Sequence, residues 1–87
     1  MAQPEITIYS SKFCGYCVAA ERLFQNKDLE YKLIKVDEDP SKFEHMVKIT
    51  GRRTVPQIFI GDHHVGGFDD LSAANQSGEL KKLLESA

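Results

Sequence analysis

The chain's only two cysteines stand three positions apart, in Phe13-Cys14-Gly15-Tyr16-Cys17. Residues 5–10 just before them are short and β-branched, with Pro4 ahead and a Ser-Ser-Lys loop behind, and read as a strand. Residues 18–25 just after them read as a helix. A Cys-x-x-Cys at a strand-to-helix junction confines the chain to folds that begin with a βα turn, and it carries redox chemistry. The first cysteine falls at or just before the first helical turn. There the unpaired backbone N–H groups and the helix dipole favour a thiolate. The second falls one turn on and faces back, so one sulfur attacks a disulfide and the other attacks the mixed disulfide that results.

The remaining composition narrows the setting. At 87 residues the expectation is a single domain spanning 1–87. A formal net charge of −2 argues against generic nucleic-acid binding and against binding to anionic membranes. No apolar run approaches membrane-span length. Met1-Ala2-Gln3-Pro4 has neither the charge nor the apolar stretch of a secretory signal. Two cysteines in such a chain suggest reactive thiols in a reducing compartment, hence a cytoplasmic protein.

The order of elements follows from periodicity and turn residues. On the first helix Cys17, Ala20, Leu23 and Phe24 share one face, which takes Cys17 inward and leaves Cys14 at the exposed tip. That difference assigns Cys14 as nucleophile and Cys17 as resolving thiol. Asn26-Lys27-Asp28 reads as a loop and residues 31–36 as a second strand, parallel to the first through a right-handed crossover. Asp39 and Pro40 open a second helix, with Phe43, Met46, Val47 and Thr50 on one face, and Gly51 closes it. Residues 57–60 and 63–65 form a hairpin around Gly61-Asp62, and Gly66-Gly67 makes a second tight turn. Asp69 or Asp70 caps a third helix, and Leu80, Leu83 and Leu84 mark a short helix after Gly78. This β-α-β-α-β-β-α-α order is α/β and thioredoxin-like: a four-stranded mixed sheet flanked by helices on both faces.

With these elements in place, the chain resembles the glutaredoxin family, most closely its short bacterial dithiol members. Three motifs carry the resemblance in the right order: Cys14-Gly15-Tyr16-Cys17, Gly51-Arg52-Arg53-Thr54-Val55-Pro56-Gln57-Ile58-Phe59-Ile60, and Gly66-Gly67-Phe68-Asp69-Asp70-Leu71. The resemblance implies a glutathione-dependent thiol–disulfide oxidoreductase that reduces protein–glutathione mixed disulfides and protein disulfides. It implies a cis Pro56 that turns the Val55 backbone towards the sulfurs, where the residues alone suggest only the start of an edge strand. Glutathione would pair with Val55 as an added strand. Thr54 belongs to the same loop, and Tyr16 flanks the entrance. Gly67 allows close approach of the ligand. The Phe68 and Asp69 backbone N–H groups would meet the γ-glutamyl carboxylate, with the Asp69 side chain on the ammonium. Lys12 would meet the glycyl carboxylate or the thiolate. Arg52 and Arg53 are assigned to the end of the second helix, where cations suit the dipole, and not to the ligand.

Three positions depart from the family pattern. Gly15 replaces a common proline, and by family analogy makes room for a [2Fe–2S] cluster held between two subunits by Cys14 and glutathione. That alternative function is storage or redox sensing, and it alone implies a dimer; otherwise a monomer is expected. Phe68 stands where relatives often carry a further cysteine. Phe43 stands where Gln or Arg often meets the glycyl carboxylate. Zinc held by the cysteines with His45, His63 and His64 is disfavoured. Structural zinc takes four ligands, and adjacent His63 and His64 on a strand point to opposite faces.

Overall fold

The computed structural model describes residues 4–85; the reading of Met1, Ala2 and Gln3 lies outside them. Eight elements follow in order: β1 (Ile6–Ser10), α1 (Gly15–Asn26), β2 (Lys32–Lys35), α2 (Pro40–Thr50), β3 (Gln57–Ile60), β4 (His63–Gly66), α3 (Phe68–Ser77) and α4 (Glu79–Glu85). The sheet order is β2-β1-β3-β4, with β2 parallel to β1 and the other neighbours antiparallel. This is the mixed four-stranded, thioredoxin-like sheet expected from the sequence. Among the described residues, no helix is long and apolar enough to cross a membrane.

Strand alternation sorts the core into two layers. Ile6 and Ile8 of β1 and Ile58 and Ile60 of β3 face Ala20 and Phe24 of α1, Leu71 and Ala74 of α3, and Leu80 of α4. Tyr9 and Val36 face Met46 of α2 on the opposite side, where Phe43, Val47, Val55 and Phe59 pack around them. Phe43 thus belongs to the apolar face of its helix. The Tyr9 and Phe59 rings meet edge to face at 5.9 Å.

Several boundaries differ from those read in the sequence, each for a local reason. Helix α1 begins at Gly15 rather than 18, because the Cys14 side chain caps it and the Val18 N–H bonds the Cys14 carbonyl at 3.2 Å. It runs on through Asn26, and the turn falls at Lys27-Asp28, where Asp28 takes a positive φ of 56°. Strand β2 is shorter than 31–36. At its start the Tyr31 hydroxyl bonds Glu21 at 2.9 Å and accepts from Gln25 at 2.8 Å, tying this end to α1. At its finish the Val36 N–H still reaches the Ser10 carbonyl at 2.9 Å. Strand β4 extends to Gly66, so Gly66-Gly67 is a strand end and a cap rather than an isolated turn. Helix α3 begins at Phe68 with Gly67 as its N-cap, which moves Asp69 and Asp70 from the expected cap into the first turn. Helix α2 is capped by Asp39, whose side chain accepts from Ser41, and closed by Gly51 at φ 71°, as read.

Phe24 is fully buried between α1 and the sheet. Phe24→Ala should cost about 3–5 kcal/mol of unfolding free energy, measured by urea denaturation. A loss below about 1 kcal/mol would mean that this layer repacks freely.

Candidate active site

The site is built around the start of α1. Cys14 has an extended backbone, and its Sγ accepts the Cys17 N–H at 3.2 Å, as an N-cap side chain does. A sulfur held there lies in the positive field of the first helical turn. The Cys14 and Cys17 sulfurs are joined as a disulfide, with their Cα atoms 5.2 Å apart. Cys17 is 1% exposed and packs inward, whereas Cys14 is half-buried at the helix tip. An incoming thiolate therefore reaches Cys14 first. A Cβ on Gly15 would meet no atom within 4 Å beyond its two chain neighbours.

Opposite the sulfurs lies the loop before β3. The Val55–Pro56 peptide is cis, and the Val55 carbonyl oxygen is 3.9 Å from Cys14 Sγ. A groove of about 250 Å³ runs from this loop to the start of α3, bounded by Tyr16, Thr54, Val55, Pro56, Gly67, Phe68 and Asp69. Those are seven of the eight residues that the sequence assigned to ligand binding. The Tyr16 and Phe68 rings stack at 6.0 Å and form an aromatic wall, with Tyr16 largely exposed.

Lys12, the eighth, is placed elsewhere. It lines a second cavity of about 530 Å³ with Phe13, Cys14, Val18, Leu33 and Lys35. Its backbone N–H donates to Asp37 Oδ2 at 3.1 Å, which fixes the loop ahead of Cys14. Arg52 and Asp70, which the sequence did not assign, do line the first groove. Arg52 Nη1 pairs with Asp70 Oδ2 at 3.1 Å, and the same carboxylate accepts the Gly67 N–H at 3.0 Å. A signal for Asp70 was present: it stands three residues past the N-cap, where an acidic side chain reaches back to the cap N–H. For Arg52 the only signal was its place in the motif of residues 51–60, and the helix-end explanation outweighed it.

The backbone itself requires glycine at position 66. Gly66 has φ 119°, and a Cβ there would run into the Asp70 carboxylate. Gly67 has φ −86°, and a Cβ there would make only an ordinary 3.5 Å contact with the Pro56 carbonyl oxygen.

A disulfide-forming cysteine pair capping the first helix of a thioredoxin-like sheet, faced by a cis-proline loop, defines a dithiol redox protein. The glutaredoxin family model matches residues 6–65. A glutaredoxin of Pseudomonas aeruginosa is 41% identical over 81 residues, covering 93% of this chain and 96% of that one. The solution structure of a Brucella melitensis glutaredoxin superposes with a TM-score of 0.84 at 39% identity, covering 97% of this chain and 91% of that one. A buckwheat glutaredoxin–glutathione complex superposes with a TM-score of 0.86 at 31% identity, covering 95% and 77%. The chain belongs to the glutaredoxin family, and its Cys14–Cys17 pair is consistent with thiol–disulfide oxidoreduction.

The Gly67 N–H and the Arg52 guanidinium hold the Asp70 carboxyl below the usual carboxylate range. A group with a depressed folded pKa stabilises the fold fully above its unfolded value of about 3.9. That contribution is lost as pH falls through the lower folded value. Unfolding midpoints of Asp70→Asn, followed from pH 6 to pH 2, should therefore fall less steeply than those of the parent. Parallel slopes would contradict the assignment.

Proposed function

We propose that the chain is a glutathione-dependent thiol–disulfide oxidoreductase, one domain spanning residues 1–87 that acts as a monomer in the cytoplasm. Its substrates are protein–glutathione mixed disulfides and protein disulfides. One observation carries this reading. Cys14 caps α1 beside a groove formed by the cis-proline loop and the start of α3, while Cys17 lies buried behind it. The existence of a glutathione complex for the buckwheat relative supports glutathione as the ligand of that groove.

In the reduced protein the Cys14 thiolate attacks the glutathione sulfur of a protein–glutathione disulfide. The new bond is Cys14–S–S–glutathione; the old S–S bond breaks, and the protein sulfur leaves as a thiolate that takes a proton from water. A second glutathione thiolate attacks the glutathione sulfur of that adduct. Glutathione disulfide leaves, and the Cys14 thiolate is restored. With a protein disulfide, Cys14 attacks one sulfur and Cys17 attacks Cys14 in the resulting mixed disulfide. This releases the protein dithiol and leaves the Cys14–Cys17 bridge, which two glutathione molecules reduce. The rates depend on thiolate fraction, leaving-group acidity and access.

The groove suits the peptide backbone of glutathione. Val55 offers main-chain groups for strand-like pairing. Tyr16 and Phe68 cover one side. The first turn of α3 offers the Phe68 and Asp69 N–H groups to the γ-glutamyl carboxylate. The Asp69 carboxylate, exposed at the rim, suits the ammonium. Arg52 adds a cation at the same rim, and Lys12 lines the second cavity together with Cys14. Among the described residues, no three His, Cys, Asp or Glu side chains gather as a metal site, so a [2Fe–2S] cluster would draw on the half-buried Cys14 sulfur of each of two subunits and on glutathione.

Turnover of a glutathione mixed disulfide, coupled to glutathione reductase and NADPH, tests the proposal. Cys14→Ser should abolish turnover. Cys17→Ser should keep reduction of the glutathione mixed disulfide and lose reduction of a protein disulfide. Retained protein-disulfide reduction in Cys17→Ser would overturn its resolving role, and no glutathione-dependent turnover in the parent would overturn the function.

A further inference from the structure

A chain of polar contacts centred on buried Gln57 runs from the edge strand of the sheet to the loop that faces Cys14. Gln57 is fully buried, yet its side-chain amide is satisfied at both ends. Its Nε2 donates to the Thr54 carbonyl oxygen at 3.0 Å and to Thr54 Oγ1 at 3.2 Å. Its Oε1 lies 2.8 Å from His64 Nε2. The orientation of each group follows from the one before it. The Thr54 carbonyl can only accept, so the Gln57 NH₂ must face it. Gln57 Oε1 can also only accept, so His64 must carry its proton on Nε2. The His64 ring is held in turn by stacking on Phe59 at 4.8 Å.

The consequence reaches the groove through one peptide plane. The cis peptide among the described residues is Val55–Pro56, so Thr54–Val55 is trans. In a planar trans peptide the C=O and N–H point in opposite directions. With the Thr54 C=O held inward by Gln57, the Val55 N–H points outward. Val55 lines the groove beside Cys14. We propose that His64 is a positioning residue that acts through Gln57 and the Thr54 carbonyl to aim the Val55 N–H at the backbone of bound glutathione. The inference rests on the function proposed above and assigns to His64 a task beyond the strand it occupies. Burial first, and then the Arg52 charge, lower the His64 pKa. The neutral Nε2–H tautomer is thus the form present near pH 7.

His64→Phe keeps a ring to stack on Phe59 and removes the donor. With a glutathione mixed disulfide as substrate, at a temperature well below unfolding, KM should rise about fivefold, the loss of one hydrogen bond's worth of aim. The alkylation rate of reduced Cys14 should not change, because the sulfur and its cap are untouched. His64→Gln returns an N–H donor and should recover most of the KM. A lower unfolding temperature with unchanged KM would overturn the proposal, since a purely structural residue behaves that way. Imidazole ¹⁵N spectra of the unmutated protein test the chain independently of any variant's folding. They should show the neutral Nε2–H tautomer at pH 7, and an Nδ1–H tautomer would overturn it. Absence of turnover in the unmutated protein would count against the proposed function instead.

Discussion

The Cys17 N–H bonded to the Cys14 sulfur is the interaction on which the site depends. A helix start leaves its first N–H groups without partners, and most chains satisfy one with an oxygen of Ser, Thr, Asp or Asn. Here a sulfur does so. That choice places Cys14 at the tip of α1, with β1 leading into it. It also sends Cys17 one turn inward, against the layer formed by Ala20 and Phe24. The asymmetry between an accessible and a buried sulfur is thus a property of helix geometry and packing together.

Everything opposite the sulfur is held by polar side chains working on the backbone. Asp70 bonds the Gly67 N–H and pairs with Arg52, which joins the start of α3 to the segment before the proline loop. Gln57 holds the Thr54 carbonyl from the protein interior. The Asp37 carboxylate takes the Lys12 N–H and fixes the loop that delivers Cys14. The groove therefore lies between the proline loop and the start of α3, each pinned by a side chain from another part of the fold. Binding residues on loops fixed in this way lose little order when a ligand arrives.

Much of this was legible in the sequence, for identifiable reasons. The strand alternation of β1 and β3, the Asp39-Pro40 cap and the Gly51 stop are local signals, and the elements follow them closely. The cysteine pair and the motif residues 54–56 and 67–69 meet at one end of the sheet because βα and loop connections all open there. What the sequence hid were relations across the fold. Cys14 was read at or just before the first helical turn, but the range 18–25 began three residues late. The need for glycine at position 66 was hidden because nothing local reveals that the Asp70 carboxylate fills the space over it. Lys12 shares the second cavity with Cys14, away from the groove that Tyr16 and Val55 line. Gln57 and His64 each look like ordinary strand residues until the sheet brings them within 2.8 Å.

One cavity is lined by both cysteines, and the groove proposed for glutathione reaches Cys14 through Val55, whose carbonyl oxygen lies 3.9 Å from the sulfur. The most direct test is amide chemical-shift mapping of Cys17→Ser carrying glutathione in a disulfide with Cys14, compared with the reduced variant. The largest shifts should fall on Tyr16, Thr54, Val55, Gly67, Phe68 and Asp69. Shifts concentrated instead on Ser11, Lys12, Leu33 and Lys35, with the Val55 and Phe68 amides unmoved, would contradict it.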